Sequence, residues 1–389
     1  MKTPLNLKQL PAFLTHPAGC LIVTVLLSAF FWALPDFSIF RKGFEQREPI
    51  LDYGLLILIA WYSLIVGSCS LGFYLGKTVR WPFPFQVKNV RLDDAFSYLC
   101  FSIIASISCF YVLWVLNERL GFPAMVEALL TGRGNSLKDA LYEDYSIGLL
   151  SLRYIVILTG ALALFRILSG ISRGFFDFYN ILLLLFVASI SSRLSLIAAS
   201  LSAFCLLCFH GKKVRTLPLL VAAFSVVILL FVFNSSRNMN YYAQRGNYGF
   251  FESGISEIMA YLGAPFQASL AIGNNPLVLT GKQDPSFASN IEPNLTTNSA
   301  LADLVGRFGI AVTFFGMFVF ASATGLLMGI LHQLKNTCFA LAYCILLYGY
   351  AEIWRIFLFD QGIFIILFTA SLLLPSIAII IKSLLLTKH

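Results

Sequence analysis

Six arginines, Arg153, Arg193, Arg237, Arg245, Arg307 and Arg355, stand at or near what should be the same ends of long apolar segments. The arginine fork carries five N–H donors, stays charged at physiological pH and matches phosphate oxygens two at a time. Several such forks together suit an anionic group such as a lipid-linked pyrophosphate. Carboxylates near them suit general-base work. Glu257, Asp303 and Glu352 are the candidate bases, with Asp360 near them. Glu352 and Arg355 are three residues apart and Asp303 and Arg307 four, so each pair shares a helix face and can equally be a structural ion pair. The sequence does not choose among the three bases. Tyr241, Tyr242, Tyr248 and Tyr261 supply rings with a polar end, suited to the C–H faces of sugars. Tyrosines also anchor membrane interfaces, so their interleaving with Arg237 and Arg245 is the more specific signal.

The elements that must position these residues are set by composition. Hydrophobic residues make up 58% of the chain and charged ones 12%, against roughly 25% charged in soluble domains. The mean hydropathy of +0.82 agrees. This is an integral membrane protein without room for a soluble domain of ordinary size. The net charge of +8 follows from basic residues on the cytoplasmic side and does not point to nucleic acid. The eight cysteines lie in apolar stretches and behave as small buried hydrophobes, so neither disulfides nor a zinc site is expected. His16, His210, His332 and His389 all fall on the cytoplasmic side, and Asp36 stands alone in the first outer loop. No metal and no cofactor are therefore expected.

A helix crosses the hydrocarbon core with about 20 residues. Ten candidates emerge, at 18–34, 51–75, 95–116, 147–168, 175–191, 194–209, 217–233, 310–331, 337–354 and 363–381. The fold class is all-α, a polytopic bundle forming one membrane domain. Lys2 and Lys8 before the first run make it an uncleaved span rather than a signal peptide. Short basic loops, Lys77 to Arg91 and Lys212 to Arg215 above all, fix both termini in the cytoplasm. The segment 234–309 is then a large periplasmic loop. Within it a helix is expected over 252–262, lying in the interface, and mobile loop over 274–299. In the outer segment 117–146, Pro123 should open a short helix and Ser136 cap another that begins at Leu137.

Residues 175–209 form one long apolar stretch broken by Ser191-Ser192-Arg193. As a single helix it would be about 50 Å long, against a core of ~30 Å. It must turn back. Each half reaches only ~24 Å, so the turn should sit below the outer surface with Arg193 recessed in it. A charge at such depth points to function unless it merely snorkels. Hydroxyls of Ser191, Ser192 and Ser195 are expected to satisfy the backbone groups freed at the turn.

A Ser-Arg turn between two short spans, one further span and then a large outer segment rich in Arg and Tyr resembles the bacterial oligosaccharide repeat-unit polymerases, the Wzy or O-antigen polymerase type. Gly306-Arg307-Phe308-Gly309-Ile310 leading into the next span adds to the likeness. The resemblance covers most of the chain as architecture. It implies a membrane glycosyltransferase of GT-C-like build, metal-independent and inverting. Its substrate would be an undecaprenyl-pyrophosphate-linked oligosaccharide at the periplasmic face of the bacterial inner membrane. A chain-length regulator and membrane lipids would be its partners. An O-antigen ligase would share this logic and differ in acceptor. A lipid-linked oligosaccharide flippase is the rival from another class. The lack of an internal repeat and the few mid-membrane charges count against it.

Overall fold

The computed structural model describes residues 10–37, 39–79, 94–131, 133–143, 149–171, 174–210, 216–246, 249–275, 291 and 299–386. Among these residues helices are the only extended regular structure and there is no strand; an isolated bridge joins Phe44 and Ile291. In chain order the helices begin with α1 (Leu10–Leu14), α2 (Pro17–Ala33), α3 (Tyr53–Thr78), α4 (Ala95–Leu120), α5 (Phe122–Leu130) and α6 (Gly134–Tyr142). A 3-10 segment, Leu149–Ile155, leads into α7 (Val156–Leu168). Next come α8 (Phe175–Ile190), α9 (Leu194–His210), α10 (Thr216–Gly246) and α11 (Phe250–Asn274). Helices Ala300–Phe308, Ile310–His332, Ala340–Glu352 and Gly362–Leu386 complete the order.

Six stretches are long and apolar enough to cross a membrane: Tyr53–Thr78, Ala95–Leu120, Leu150–Leu168, Leu220–Gln244, Ile310–His332 and Gly362–Ile381. This makes the chain a multi-pass membrane protein. Four further apolar helices, Pro17–Ala33, Phe175–Ile190, Leu194–His210 and Ala340–Glu352, fall short of the usual spanning length.

Two compact units emerge. The first combines residues 1–81, 255–333 and 346–359. Its backbone is the pairing of α3 with Ile310–His332. Gly72 and Gly76 on one helix meet Gly325 and Gly329 on the other, and a Cβ added to any of the four would collide with the facing backbone. In lipid, where apolar surface gains little by leaving its solvent, such close backbone approach is a main source of helix association. The other anchor is α11. Gln267 accepts from Trp32 Nε1 at 2.7 Å and from the Glu48 backbone N–H at 3.1 Å, and donates to the Gln46 carbonyl at 2.7 Å. Asn274 accepts from Gly54 N–H and donates to Glu48 and to the Pro49 carbonyl. These bonds fasten the segment between α2 and α3 to α11.

The second unit combines residues 82–254, 334–345 and 360–389. At its centre is α7, with Val156 to Ala163 all buried. Packed on it are α4, α8 and α9, and Gly160 lets Leu184 of α8 approach. Beside it, Leu137, Ala140 and Leu141 of α6 and Met125 and Ala128 of α5 close over Val112 and Leu116 of α4 and Ile190 of α8. Arg119 of α4 donates to the carbonyls of Ala140 and Glu143, satisfying the C-terminal end of α6.

Three local expectations need correction. Ser136 does not start a helix: α6 begins at Gly134, and the Ser136 hydroxyl donates to the Arg133 carbonyl at 2.7 Å. The helix expected to end near 233 runs on to Gly246, so the aromatic and basic stretch from 240 opens as helix rather than loop. The helix expected over 252–262 spans Phe250–Asn274, running on through Gly263 and Pro265, and the residues it gains up to Gly273 are buried. Ser28 of α2 donates to the Leu262 carbonyl and so supports the backbone just before the proline. Most of the stretch expected as loop, 274–299, lies outside the described residues.

Candidate functional site

The Ser191-Ser192-Arg193 turn forms as expected between α8 and α9. The N–H groups of Ser191 and Ser192 both bond the Val187 carbonyl, which ends α8. Ser195 donates its hydroxyl to the Ser192 carbonyl at 2.6 Å. Ser191 is put to a different use. Its Oγ accepts from Arg153 Nε at 2.9 Å, and its backbone carbonyl faces Arg237 Nη1 at 3.4 Å. Arg193 Nη1 bonds the side-chain oxygen of Asn234 on α10. Three of the six arginines, from the segment before α7, from the turn and from α10, are thus fastened around one short turn.

Arg153 has no solvent exposure. Besides Ser191 it donates to the Leu150 carbonyl at 2.5 Å and, from Nη2, to the hydroxyls of Tyr142 and Tyr154 at 3.0 Å each. Its guanidinium lies 4.5 Å from the Tyr154 ring centre and 5.5 Å from that of Tyr142. All these partners are neutral. At the other end of α7, Arg166 is paired with buried Asp177 at 3.1 Å and lies over Tyr98. An unpaired charge in a low-dielectric place is expensive unless its donors are met and an opposite charge can arrive. The Arg153 end of the helix meets the first condition without a carboxylate; the Arg166 end carries its own.

Arg237 is nearly buried and donates from Nε to Asn135 Oδ1 at 3.1 Å. Asn135 in turn donates to the Arg237 carbonyl and to Asn238 Oδ1. This asparagine ties α6 to α10, and Gly134 beside it leaves space for the Arg237 side chain. Tyr142, Tyr154, Asn135 and Asn234 were not singled out as site residues from sequence. Tyr142 and Tyr154 are twelve residues apart on different elements, so no helical period links them, while Asn135 and Asn234 carry no pattern of their own.

In the first unit, Arg355 and Glu352 form the i,i+3 ion pair that their spacing allows, with both side chains almost wholly buried. Tyr261 lies under the Arg355 guanidinium, its ring centre 4.5 Å away. Arg355 Nη2 has no hydrogen-bond partner. Arg307 and Asp303 also pair, at 2.8 Å, but as a half-exposed i,i+4 contact of the kind that decorates helix surfaces. Glu257 is half-buried on α11. Asp36 is not alone: Lys42 Nζ lies at 2.8 Å and Arg47 at 3.4 Å. Tyr241 is half-buried and meets Tyr242 edge-on, while Tyr242 is a core residue. Arg245 is helical, with its side chain outside the described residues, as is Tyr248 altogether. Among the described residues no three His, Cys, Asp or Glu side chains gather in a way that would hold a metal ion.

Comparison of the chain with models of protein families, with curated proteins and with solved structures finds no match.

Proposed function

We propose that this protein polymerises oligosaccharide repeat units carried on undecaprenyl pyrophosphate, by metal-independent inverting glycosyl transfer at the periplasmic face of the bacterial inner membrane. The reading takes the ten-span, N-in and C-in arrangement and the GT-C-like build implied by resemblance. One observation carries it. Three guanidinium groups converge on the Ser191–Arg193 turn, and the innermost, Arg153, sits among neutral partners only. A cationic cluster of this kind suits an anionic group that arrives and leaves, and a pyrophosphate leaving group is such an anion.

In this reading the reducing-end sugar of the growing chain is attacked at its anomeric carbon by a hydroxyl of the incoming repeat. The bond to the pyrophosphate oxygen breaks, and its electron pair departs with the lipid carrier. Arg193 and Arg237 meet the phosphate oxygens. Arg153 has four of its five N–H groups committed to protein partners, so its charge supports the site from beneath instead of gripping the ligand. The test uses purified protein in detergent with short glycans on undecaprenyl pyrophosphate, with and without chelator. Chain extension that survives chelation is expected, and Arg193→Ala should abolish it with the protein still folded. With the protein in liposomes, movement of the lipid between leaflets without covalent extension would point to a flippase instead, and extension that Arg193→Ala leaves unchanged would remove the site.

A further inference from the structure

We infer that Tyr142, not a carboxylate, receives the proton of the attacking hydroxyl; the inference rests on the reading above and names the base within that same site. Two of the three carboxylates offered by the sequence are already held by arginines, Asp303 by Arg307 and Glu352 by Arg355. Two phenol oxygens bond Arg153 beside the Ser191 turn. Tyr142 Oη lies 2.9 Å from Tyr154 Oη, which lies 3.2 Å from Ser191 Oγ. Both phenols accept from Arg153 Nη2, and Ser191 Oγ accepts from its Nε.

Three hydroxyls in a row, all bonded to one buried cation, form a chain in which loss of a proton is favoured. A phenolate at either tyrosine would be paired with Arg153 and would accept a hydrogen bond from its neighbour. Exposure decides which phenol meets substrate. Tyr154 is 6% exposed and Ser191 4%, while Tyr142 reaches 38%. Tyr142 is the end of the chain that opens outward. Among the described residues the charged and titratable groups around it include Arg153, Tyr154 and Lys138, whose Nζ lies 5.8 Å from the Tyr142 ring centre, with Glu143 next in sequence. Burial raises the affinity of the Tyr142 phenol for its proton, but the Tyr154 hydrogen bond and the Arg153 charge outweigh it and hold the group below the ordinary phenol value.

The step balances. The acceptor O–H bond breaks as its oxygen bonds the anomeric carbon, the proton passes to the Tyr142 phenolate, and the carbon–oxygen bond to pyrophosphate breaks toward phosphate. Ionisation of the phenol to water resets the site.

The experiment places fluorotyrosine at position 142 of the full chain and follows its fluorine NMR signal against pH, without substrate. The signal should ionise at lower pH than free fluorotyrosine in the same detergent, and Tyr154→Phe should raise the midpoint. Arg153→Gln should raise it further; if that variant does not fold, Tyr154→Phe carries the comparison. In the extension assay Tyr142→Phe should lose about 100-fold or more in rate while still retaining the lipid-linked glycan. A midpoint at or above that of the free amino acid overturns the inference, whether or not the protein extends glycans. So does unchanged extension by Tyr142→Phe. A protein that extends no glycan at all sinks the polymerase reading and the proton role with it, and the substrate-free titration tells that failure apart from the first.

Discussion

Arg153 and Arg237 hold Ser191 from two sides, one at the side-chain oxygen and one at the backbone carbonyl. The serine therefore links two cations that lie far apart in sequence, and its two oxygens can be tested separately. Ser191→Ala removes the acceptor for Arg153 Nε and leaves the Arg237 contact in place. Leaving that buried donor unmet should cost about 1–3 kcal/mol. The measurable outcome is a lower melting temperature together with reduced chain extension. Ser195→Ala, in the same turn but bonded only to the Ser192 carbonyl, should lower stability less and leave extension intact.

The buried Glu352–Arg355 pair allows a double-mutant cycle. Glu352→Gln leaves Arg355 without its counter-charge and should destabilise by about 3–5 kcal/mol. Adding Arg355→Met to that variant should recover much of the loss, because the stranded charge is gone. Thermal unfolding in detergent reads both. Additive losses would show that the two side chains do not depend on each other.

The glycine crossing of the first unit makes its own control. Gly325→Val forces a side chain into the α3 backbone, and overpacking of this sort costs about 1–3 kcal/mol or separates the helices. Gly316→Val, on the same helix, and Gly67→Val, on α3, meet nothing within 4 Å and should be nearly silent. Equal effects at all of these positions would mean that helix propensity, and not close approach, sets the outcome.

Asp36 carries a pH dependence whose sign is fixed by its partners. The Lys42 hydrogen bond, with the charges of Lys42 and Arg47, holds its carboxyl below the ordinary aspartate value despite some burial. A lowered folded-state value contributes stability above the unfolded value of about 3.9, and the contribution fades as pH falls through the folded value. Asp36→Asn should therefore be slightly less stable than wild type above about pH 5, and the two should converge in acid. The carboxylate is largely exposed, so the difference is small and should shrink further in salt.

The turn at 191–193 was legible because a charge between two apolar runs, each too short to cross alone, admits few explanations. The arginines were legible for the same reason. What lay around them was not. Tyr142 reaches Arg153 only because α6 folds back over α4 and α8, and nothing local to residue 142 reports that packing. The sequence also misjudged α11. Gly263 and Pro265 are stop signals in isolation, yet the helix continues because Ala264, Ala268 and Ala271 are buried and Ser28 supports the Leu262 carbonyl. Tertiary burial overrode local propensity there. Near its end Gly273 lies against Gly54 of α3, where an added Cβ would collide.

The position of Arg153 in the first turns of the helical run Leu149–Leu168 has an electrical consequence. Aligned peptide dipoles give that end of a helix a partial positive charge, so guanidinium and backbone push the local potential the same way. In the proposed function a polyanion bound there would be attracted by both. Bound inorganic pyrophosphate should then raise the unfolding temperature of the resting protein, by an amount that grows with ligand concentration and declines with ionic strength.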